Sequence, residues 1–466
     1  MQTRQAGILL HISSLPSDFG IGDLGPSAYE FVKLLSESKH SIWNVLPINP
    51  TLYKHDNSPY YSTSLFAGNY LLISPELLFQ DGLITHNTLK ELRVQKGPNV
   101  PFEVLYSLKK RLLEEAFKAF SPSKEFYDFV EKNHHWLETY ARFSALLEKN
   151  PSFNLAKLWR ESPERERFEF YLFEQFIFHR QYMALKDFAN NLGVLIFGDL
   201  PIYPAPISAD TFQRPELFKL SKDGEPEFIA GVPPDYFSKE GQIWGNPVYN
   251  WPLHKEEGFS WWISRLKRAL EYFDILRIDH FRGFSSFYRF RKDLSEGDWE
   301  LSPGEELFKT IRAKFPKARL VAEDLGLIDD SVNSLRAKFG LLSTKVLAFG
   351  LFEIDSTHLP HNHSRDCAIY TTNHDLPPLK SFIKTLNPAS RDFFVKYFGS
   401  VENMIKFAYA SVGEICIIPM QDILMLEEDA RYNTPATTSG NWRWRLEYLP
   451  DIKDRLKELS ETFSRC

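Results

Sequence analysis

Short apolar runs with little polar alternation recur along the chain, and eight of them have the length and the β-rich composition of strands. They cover residues 7–12, 41–48, 194–200, 275–281, 320–325, 344–351, 367–374 and 414–420. A strand that is apolar on both faces is typical of a parallel sheet that is covered on both sides. The pattern therefore predicts eight buried parallel strands.

Segments with the helical spacing of apolar residues separate many of these runs, as in residues 27–37, 259–272 and 305–314. Strands that alternate with helices indicate βαβ units. Eight such units predict an α/β fold, a closed (β/α)8 TIM barrel. An open, doubly wound sheet is the alternative that the same alternation allows.

The eight runs are unevenly spaced, which indicates insertions. Residues 75–190 carry helical patterns and predict a mainly helical insertion between barrel strands 2 and 3. Residues 201–251 are rich in Pro, Gly and aromatic residues, and they predict an ordered loop insertion that forms part of the active-site rim. Because 451–464 predicts a closing helix, we interpret 1–466 as one barrel domain with no C-terminal β domain.

Charge and hydropathy narrow the classes of partner. The chain has 55 Lys and Arg against 61 Asp and Glu, a formal net charge of −6. There is no basic excess of the kind that binds nucleic acid or an anionic membrane surface, so neither is an expected partner. No run approaches the roughly 18 apolar residues of a membrane helix.

The cysteines bear on metal binding and on location. Cys367, Cys416 and Cys466 form no CxxC pair and no zinc spacing, so no metal site is expected. Two of them lie in apolar runs, and buried free thiols are typical of a reducing compartment. The apolar run near residue 7 is too short for the core of a signal peptide, so a cytoplasmic location is predicted.

Three acids lie at or just beyond the carboxyl ends of predicted strands: Asp279 in LRIDHFRG, Glu323 in LVAEDLG and Asp375 in YTTNHDLPP. In a barrel this end carries the active-site loops. A structural ion pair or a strand-end cap explains one such acid, but it explains three on one face less well. Glycoside chemistry needs a set of this kind, with one acid to protonate the leaving oxygen and one carboxylate facing the anomeric carbon.

The neighbours of these acids suggest different roles for them. Arg277 and His280 flank Asp279 and favour its charged form, which suits a nucleophile. Glu323 ends an apolar strand, where burial raises the pKa of a carboxyl and suits a general acid. Asp324 is a rival for that role, but strand alternation turns one of the two side chains away.

A glycine pattern at Gly20, Gly22 and Gly25 matches the dinucleotide fingerprint GxGxxG. The turn around it is long, Pro26 follows the last glycine, and the next strand does not end in an acid. We interpret the segment as a tight glycine loop, and no cofactor is expected.

Several longer segments carry a family resemblance. They are GILLHISSLPSDFGIGDLGPSAYEF, LPINP, SPYYSTSLFAGN, GDLPIY, AGVPPDYFSKEGQIWGNPVYNW, LRIDHFRGF, VAEDLG, KVLAFG, PMQDIL and NTPATTSGNWRWRL. Together they resemble the 4-α-glucanotransferase family, also called amylomaltase or disproportionating enzyme, a branch of the α-amylase-like barrels. The motifs reach from residue 7 to about 445, and GVPPDYFS with GQIWGNP is the most specific of them.

The resemblance implies a role for each acid. Asp279 is the implied nucleophile, and Glu323 is the implied general acid/base. Asp375 is implied to bind sugar hydroxyls and to stabilise the transition state. The implied substrate-binding residues are Tyr60, Asp199, Asp235, Tyr236, Phe237, Ser238, Gln242, Trp244, Arg277, His280 and His374. Among them, the residues from Asp235 to Trp244 are expected to form a lid on the acceptor side.

The sequence departs from the family pattern at Asn44, Ile207, Phe212 and Leu376. These departures leave the three acids intact. They bear on the length of glucan that is preferred and on the subsites beyond the reacting sugar.

The resemblance implies retaining transfer of an α-1,4-glucan segment, in maltodextrin, glycogen or starch metabolism, with α-1,4-glucans as the substrates. Two alternatives stay open at this point. One is a hydrolase with the same barrel and the same acids, and the other is a glucan-binding scaffold without catalysis.

Overall fold

The computed structural model describes residues 4–150, 155–233, 241–291 and 297–465. Its strands within these ranges are β1 (Gln5–Leu9), β2 (Ile42–Asn44), β3 (Leu195–Leu200), β4 (Phe228–Val232), β5 (Gln242–Pro247), β6 (Ile275–Ile278), β7 (Ser286–Arg291), β8 (Gly297–Leu301), β9 (Arg319–Ala322), β10 (Leu342–Val346), β11 (Cys367–Tyr370) and β12 (Ile415–Pro419).

The helices within the same ranges are α1 (Pro26–Glu37), α2 (Pro75–Gln80), α3 (His86–Glu91), α4 (Phe102–Ala119), α5 (Lys124–Lys149), α6 (Leu155–Leu158), α7 (Arg165–Asn191), α8 (Ala209–Gln213), α9 (Trp251–Glu256), α10 (Ser260–Tyr272), α11 (Gly304–Lys314), α12 (Asp330–Lys338), α13 (Leu379–Thr385), α14 (Pro388–Tyr397), α15 (Val401–Ala410), α16 (Met420–Ile423) and α17 (Lys453–Thr462). None of them combines the length and the apolar character needed to cross a bilayer.

Eight of the strands close into a barrel in the order β1-β2-β3-β6-β9-β10-β11-β12. Each pairs in parallel with its neighbours, and the ring closes where β1 pairs with β12. Every predicted apolar run overlaps one barrel strand, so the predicted (β/α)8 barrel is confirmed and the open doubly wound sheet is wrong. Strands β6, β11 and β12 are buried at every residue, as the absence of polar alternation predicts.

Helix α1 shows how the polar pattern sets the packing around the barrel. Pro26 begins the helix, where its missing amide hydrogen costs nothing. Phe31 and Leu35 are spaced by one turn and lie on the buried face. The ring of Phe31 meets Trp43 of β2 edge-on, with centroids 5.1 Å apart. The helix therefore covers the outer surface of the barrel.

The helices α2 to α7 all lie between β2 and β3, in the segment where helical patterns are predicted. Within this segment α5 packs on α7 through aromatic side chains, such as Phe126 against Phe176 at 5.4 Å. Near the end of α7, Phe188 packs instead on Tyr29 of α1 at 4.9 Å. Helix α7 therefore connects the inserted helices to the barrel wall.

A four-stranded antiparallel sheet of order β5-β4-β7-β8 was not predicted. Two of its strands, with α8, lie in residues 201–251, where the sequence predicts an ordered loop. The strands escape the pattern because Gly231, Gly245 and Pro247 interrupt them and a bulge breaks the β4–β5 register. The sheet joins the segments that follow β3 and β6, which are neighbours in the barrel.

The glycine loop before α1 is explained by packing. Gly20 has a φ of +84°, a conformation that favours glycine. A Cβ atom at Gly22 would lie 2.1 Å from the carbonyl oxygen of Ile12. These glycines are needed for the turn itself, as the interpretation of a tight loop holds.

Candidate active site

The three acids identified in the sequence follow the carboxyl ends of barrel strands. Asp279 comes directly after β6, Glu323 comes directly after β9, and Asp375 lies in the loop after β11. Because the strands are parallel, these ends meet at one face of the barrel.

Arg277, buried on β6, holds three carboxyl groups around its guanidinium group, those of Asp199, Asp279 and Glu323. Its Nη1 lies 2.8 and 2.6 Å from the two carboxylate oxygens of Asp199 at the end of β3. The same nitrogen donates to Oδ1 of Asp279 at 3.0 Å, and Nη2 lies 4.0 Å from Oε2 of Glu323. One positive charge is thus shared by three carboxyl groups.

Glu323 differs from Asp279 in its surroundings. Burial raises the pKa of Glu323 well above its usual range, and the charge of Asp279 raises it further, while Arg277 acts against both. The backbone amide of His280 donates to Oε2 of Glu323 at 2.8 Å and fixes the carboxyl. A carboxyl that keeps its proton can deliver that proton to a leaving group, whereas Asp279 presents an oxygen held by a cation.

The neighbouring Asp324 is turned away from this group. Its Oδ2 accepts a hydrogen bond from the Ser343 hydroxyl at 2.6 Å, and its Oδ1 accepts one from the Thr344 amide at 2.7 Å. It therefore links β9 to β10, and Glu323 alone of the two acids faces Arg277.

An aromatic group lies beside the acids. The ring of Tyr60 stacks on His374, with centroids 5.1 Å apart and an interplanar angle of 17°. The Tyr60 hydroxyl donates to Oδ2 of Asp199 at 2.8 Å. Trp442 lies 5.8 Å from Tyr60 and 5.9 Å from His374, and completes the group.

Asp375 is the most exposed of the three acids, with 41% of its side chain accessible. Nε2 of His374 lies 3.4 Å from its Oδ2, and the Asn433 side-chain amide donates to its Oδ1 at 2.7 Å. Arg431 donates to its backbone carbonyl at 2.9 Å. The carboxylate is thus oriented but remains accessible to a ligand.

Trp244 and Gln242 lie on β5, at the edge of the group. The Trp244 ring meets His280 at 4.8 Å and 90°, and its indole nitrogen donates to Gln242 at 3.1 Å. Burial lowers the pKa of His280 to about 4, so Trp244 faces a neutral imidazole. The expectation that His280 helps to keep Asp279 charged is therefore wrong, and Arg277 is the cation that contacts Asp279. The other four predicted lid residues, Asp235, Tyr236, Phe237 and Ser238, lie outside the described residues.

Every predicted site residue within the described ranges belongs to this one connected group. Sequence reasoning missed Trp442, Asn433 and Arg431, although the first two lie in the motif NTPATTSGNWRWRL. Two of the departures from the family pattern lie in the interior. Asn44 donates to the Phe197 carbonyl at 2.9 Å, and Phe212 packs on Phe143 at 5.7 Å.

Among the residues that the structure describes, no cluster of three or more His, Cys, Asp or Glu side chains has the arrangement of a metal site.

Comparison with known proteins identifies the family. The model of the 4-alpha-glucanotransferase family matches residues 10–450. The 4-alpha-glucanotransferases of Aquifex aeolicus and Thermus thermophilus are 43% and 38% identical to the chain, each over 99% of both sequences. The solved structure of amylomaltase from Streptococcus agalactiae in complex with acarbose matches with a TM-score of 0.94 at 34% identity, over 99% of both chains. The chain therefore belongs to the 4-alpha-glucanotransferase family.

Proposed function

We propose that this chain transfers a segment of an α-1,4-glucan to the 4-hydroxyl of glucose or of another α-1,4-glucan, with retention at the anomeric carbon. The observation that carries the proposal is the unequal pair of acids on one guanidinium. Asp279 contacts Arg277 directly, while burial raises the pKa of Glu323. Retaining transfer needs a charged nucleophile and a protonated acid at the same moment.

In the first step Oδ of Asp279 attacks the anomeric carbon of the donor. The bond to the glycosidic oxygen breaks, and that oxygen takes the proton of Glu323. The fragment that carries the glycosidic oxygen leaves with a new hydroxyl group. The fragment that contains the anomeric carbon is held as an ester on Asp279. Both acids have changed their charge at the end of this step.

In the second step the 4-hydroxyl of the acceptor gives its proton to the carboxylate of Glu323. Its oxygen attacks the anomeric carbon, and the ester bond to Asp279 breaks. Two inversions give net retention, and both acids return to their starting states.

The remaining groups have roles in binding the reacting sugar. Asp375 has an accessible carboxylate next to His374, so we assign both to the sugar hydroxyls. The stacked ring of Tyr60 supplies an apolar surface for a sugar face, and Asp199 holds the Tyr60 hydroxyl in place.

Transfer must compete with hydrolysis, because water can also take the glycosyl group from Asp279. We assign the acceptor side to Gln242, Trp244, His280 and the lid segment from Asp235 to Ser238. An acceptor held in line, in a site closed to water, favours transfer. The contact of the Trp244 ring with His280 supports this assignment.

We also propose that residues 75–190 form an inserted subdomain and that residues 201–251 contribute to the active-site rim. The position of α2 to α7 between β2 and β3 supports the first assignment. The second is supported by the contact of Trp244 with His280 and by the hydrogen bond from Trp244 to Gln242. We propose a cytoplasmic location, which the buried free thiols of Cys367 and Cys416 support. Fractionation of cells by osmotic shock, followed by assay of each fraction, tests the location.

Incubation of the purified protein with maltotriose tests the activity. Transfer gives a ladder of longer and shorter glucans together with glucose. If the products are maltose and glucose alone, with no glucan longer than the donor, the chain is a hydrolase and the proposal is wrong. If maltotriose binds but is not consumed, the chain is a binding protein.

A further inference from the structure

Asp422 is a buried acid outside the group of side chains described above. It follows β12, lies in the short helix α16 and is 1% exposed. It belongs to the motif PMQDIL, to which the sequence assigns no role. An acid at such a position is costly unless its oxygens are satisfied.

Three donors satisfy the Asp422 carboxylate. The hydroxyls of Thr371 and Thr372 donate to Oδ2 at 2.5 and 2.7 Å. The backbone amide of Leu379 donates to Oδ1 at 2.6 Å. Burial raises the pKa of Asp422 to about 6, and the three hydrogen bonds act against that rise.

The donors flank one loop. Thr371 and Thr372 begin it directly after β11, and Leu379 ends it as the first residue of α13. Between them lie His374 and Asp375, the two groups that face the sugar in the proposed function. A single carboxylate therefore ties the two ends of the loop 371–379 together.

The rest of the loop is held by further hydrogen bonds near its tip. The side chain of Asn373 accepts hydrogen bonds from the amides of Asp375 and Leu376 at 3.1 and 3.2 Å. Asn433 and Arg431 hold Asp375 from the outside. These contacts shape the tip, while Asp422 fixes the distance and the angle between the ends that carry it.

We propose that Asp422 is a positioning residue for the transfer reaction, which fixes the loop 371–379 and so holds Asp375 and His374 against the reacting sugar. The inference rests on the proposed role of Asp375. Asp422 itself is buried and does not contact the sugar, so it acts only through the loop.

A double-mutant cycle distinguishes positioning from general support of the fold. Asp422→Asn keeps the shape of the side chain but replaces one acceptor oxygen with a donor group. Because a displacement of about 1 Å can cost on the order of 100-fold in rate, we expect kcat on maltotriose to fall about 10- to 100-fold, with a smaller change in KM. In the Asp375→Asn background the same change should cost a several-fold smaller factor, because one of the two groups that it positions is already lost.

Glu174→Gln is the matched control. Glu174 is a buried acid of α7 that accepts hydrogen bonds from the Tyr140 hydroxyl and the Gln175 side-chain amide at 2.9 and 3.1 Å. It tests the cost of changing a satisfied buried carboxyl elsewhere in the chain, and its effect on kcat should be equal in both backgrounds.

The outcomes separate the two proposals. If Asp375→Asn lowers kcat and Asp422→Asn costs the same factor in both backgrounds, Asp422 supports the fold only, and the proposed function stands. If Asp375→Asn keeps full turnover, the role of Asp375 is wrong and the positioning role fails with it.

Changes on the loop side test the same contacts if Asp422→Asn does not fold. Thr371→Val with Thr372→Val removes two donors at nearly constant volume, whereas Thr371→Ser with Thr372→Ser keeps both hydroxyls. The Val pair should lower kcat as Asp422→Asn does, and the Ser pair should restore at least half of it. A folded Val pair with unchanged kcat would overturn the inference.

Discussion

Replacing Glu323 by Gln isolates its proposed role as the proton donor. The substitution keeps the length of the side chain and an oxygen that can accept the hydrogen bond from the His280 amide, which is 2.8 Å long in the parent. It removes the proton that burial holds on the carboxyl. Since a positioned general acid contributes about 100- to 10,000-fold to a rate, kcat/KM on maltotriose should fall by that factor.

The assay compares two donors that differ in their leaving groups. The leaving group of maltotriose is a sugar alkoxide, which needs a proton. The leaving group of α-maltosyl fluoride is the fluoride ion, which needs none. Formation of the glycosyl–enzyme from the fluoride should therefore be nearly unaffected by Glu323→Gln. An equal loss on both donors would refute the assignment of Glu323 as general acid.

Asp324→Asn is the control for that experiment, because it changes the adjacent acid that faces Ser343 and Thr344. Its hydrogen bonds link β9 to β10, so the substitution should lower the midpoint of thermal unfolding. The remaining turnover should show the same ratio between the two donors as the parent. A change in that ratio would show that Asp324, and not Glu323, takes part in acid catalysis.

Four further predictions follow from the same geometry. Asp279→Asn should remove nearly all turnover on both donors, because an amide does not form the glycosyl ester; retained turnover on the fluoride would contradict this. Trp244→Ala should raise the ratio of hydrolysis, measured as the net gain of reducing ends, to elongated product from maltotriose, and an unchanged ratio would remove Trp244 from the acceptor side. Because burial raises the pKa of Glu323, kcat/KM on maltotriose should fall as the pH rises through that pKa and the proton is lost; this limb should be absent from the pH profile of Glu323→Gln, and its persistence there would assign it to another group. In a crystal structure with a bound glucan, the carboxyl groups of Asp279 and Glu323 should lie about 5–5.5 Å apart, and a separation above about 9 Å would contradict retention.

The barrel was predictable because its signal is local. Most barrel strands are short and largely apolar on both faces, and helices separate many of them, so the hydrophobic pattern marks them. The antiparallel sheet was not predictable in the same way. Strand β4 contains Gly231, β5 contains Gly245 and Pro247, and the four strands come together only because two separate barrel loops meet.

The site divides along similar lines. Asp279 and Glu323 directly follow strands, so their position on one face follows from the fold. The raised pKa of Glu323 also follows from its apolar strand end. Trp442, Asn433 and Asp422 lie far along the chain from the residues that they contact. Their contacts depend on how loops cross the barrel face. No spacing within the sequence indicates which loop a buried carboxylate such as Asp422 will hold.

Trapping the glycosyl–enzyme tests the central claim most directly. In Glu323→Gln the fluoride donor can still form the ester, but no carboxylate remains to deprotonate the acceptor, so the intermediate should accumulate. Intact-protein mass spectrometry should show an increase of one maltosyl group, and peptide mapping should place it on Asp279. An adduct on another residue, or release of product with inverted anomeric configuration and no adduct, would contradict the account.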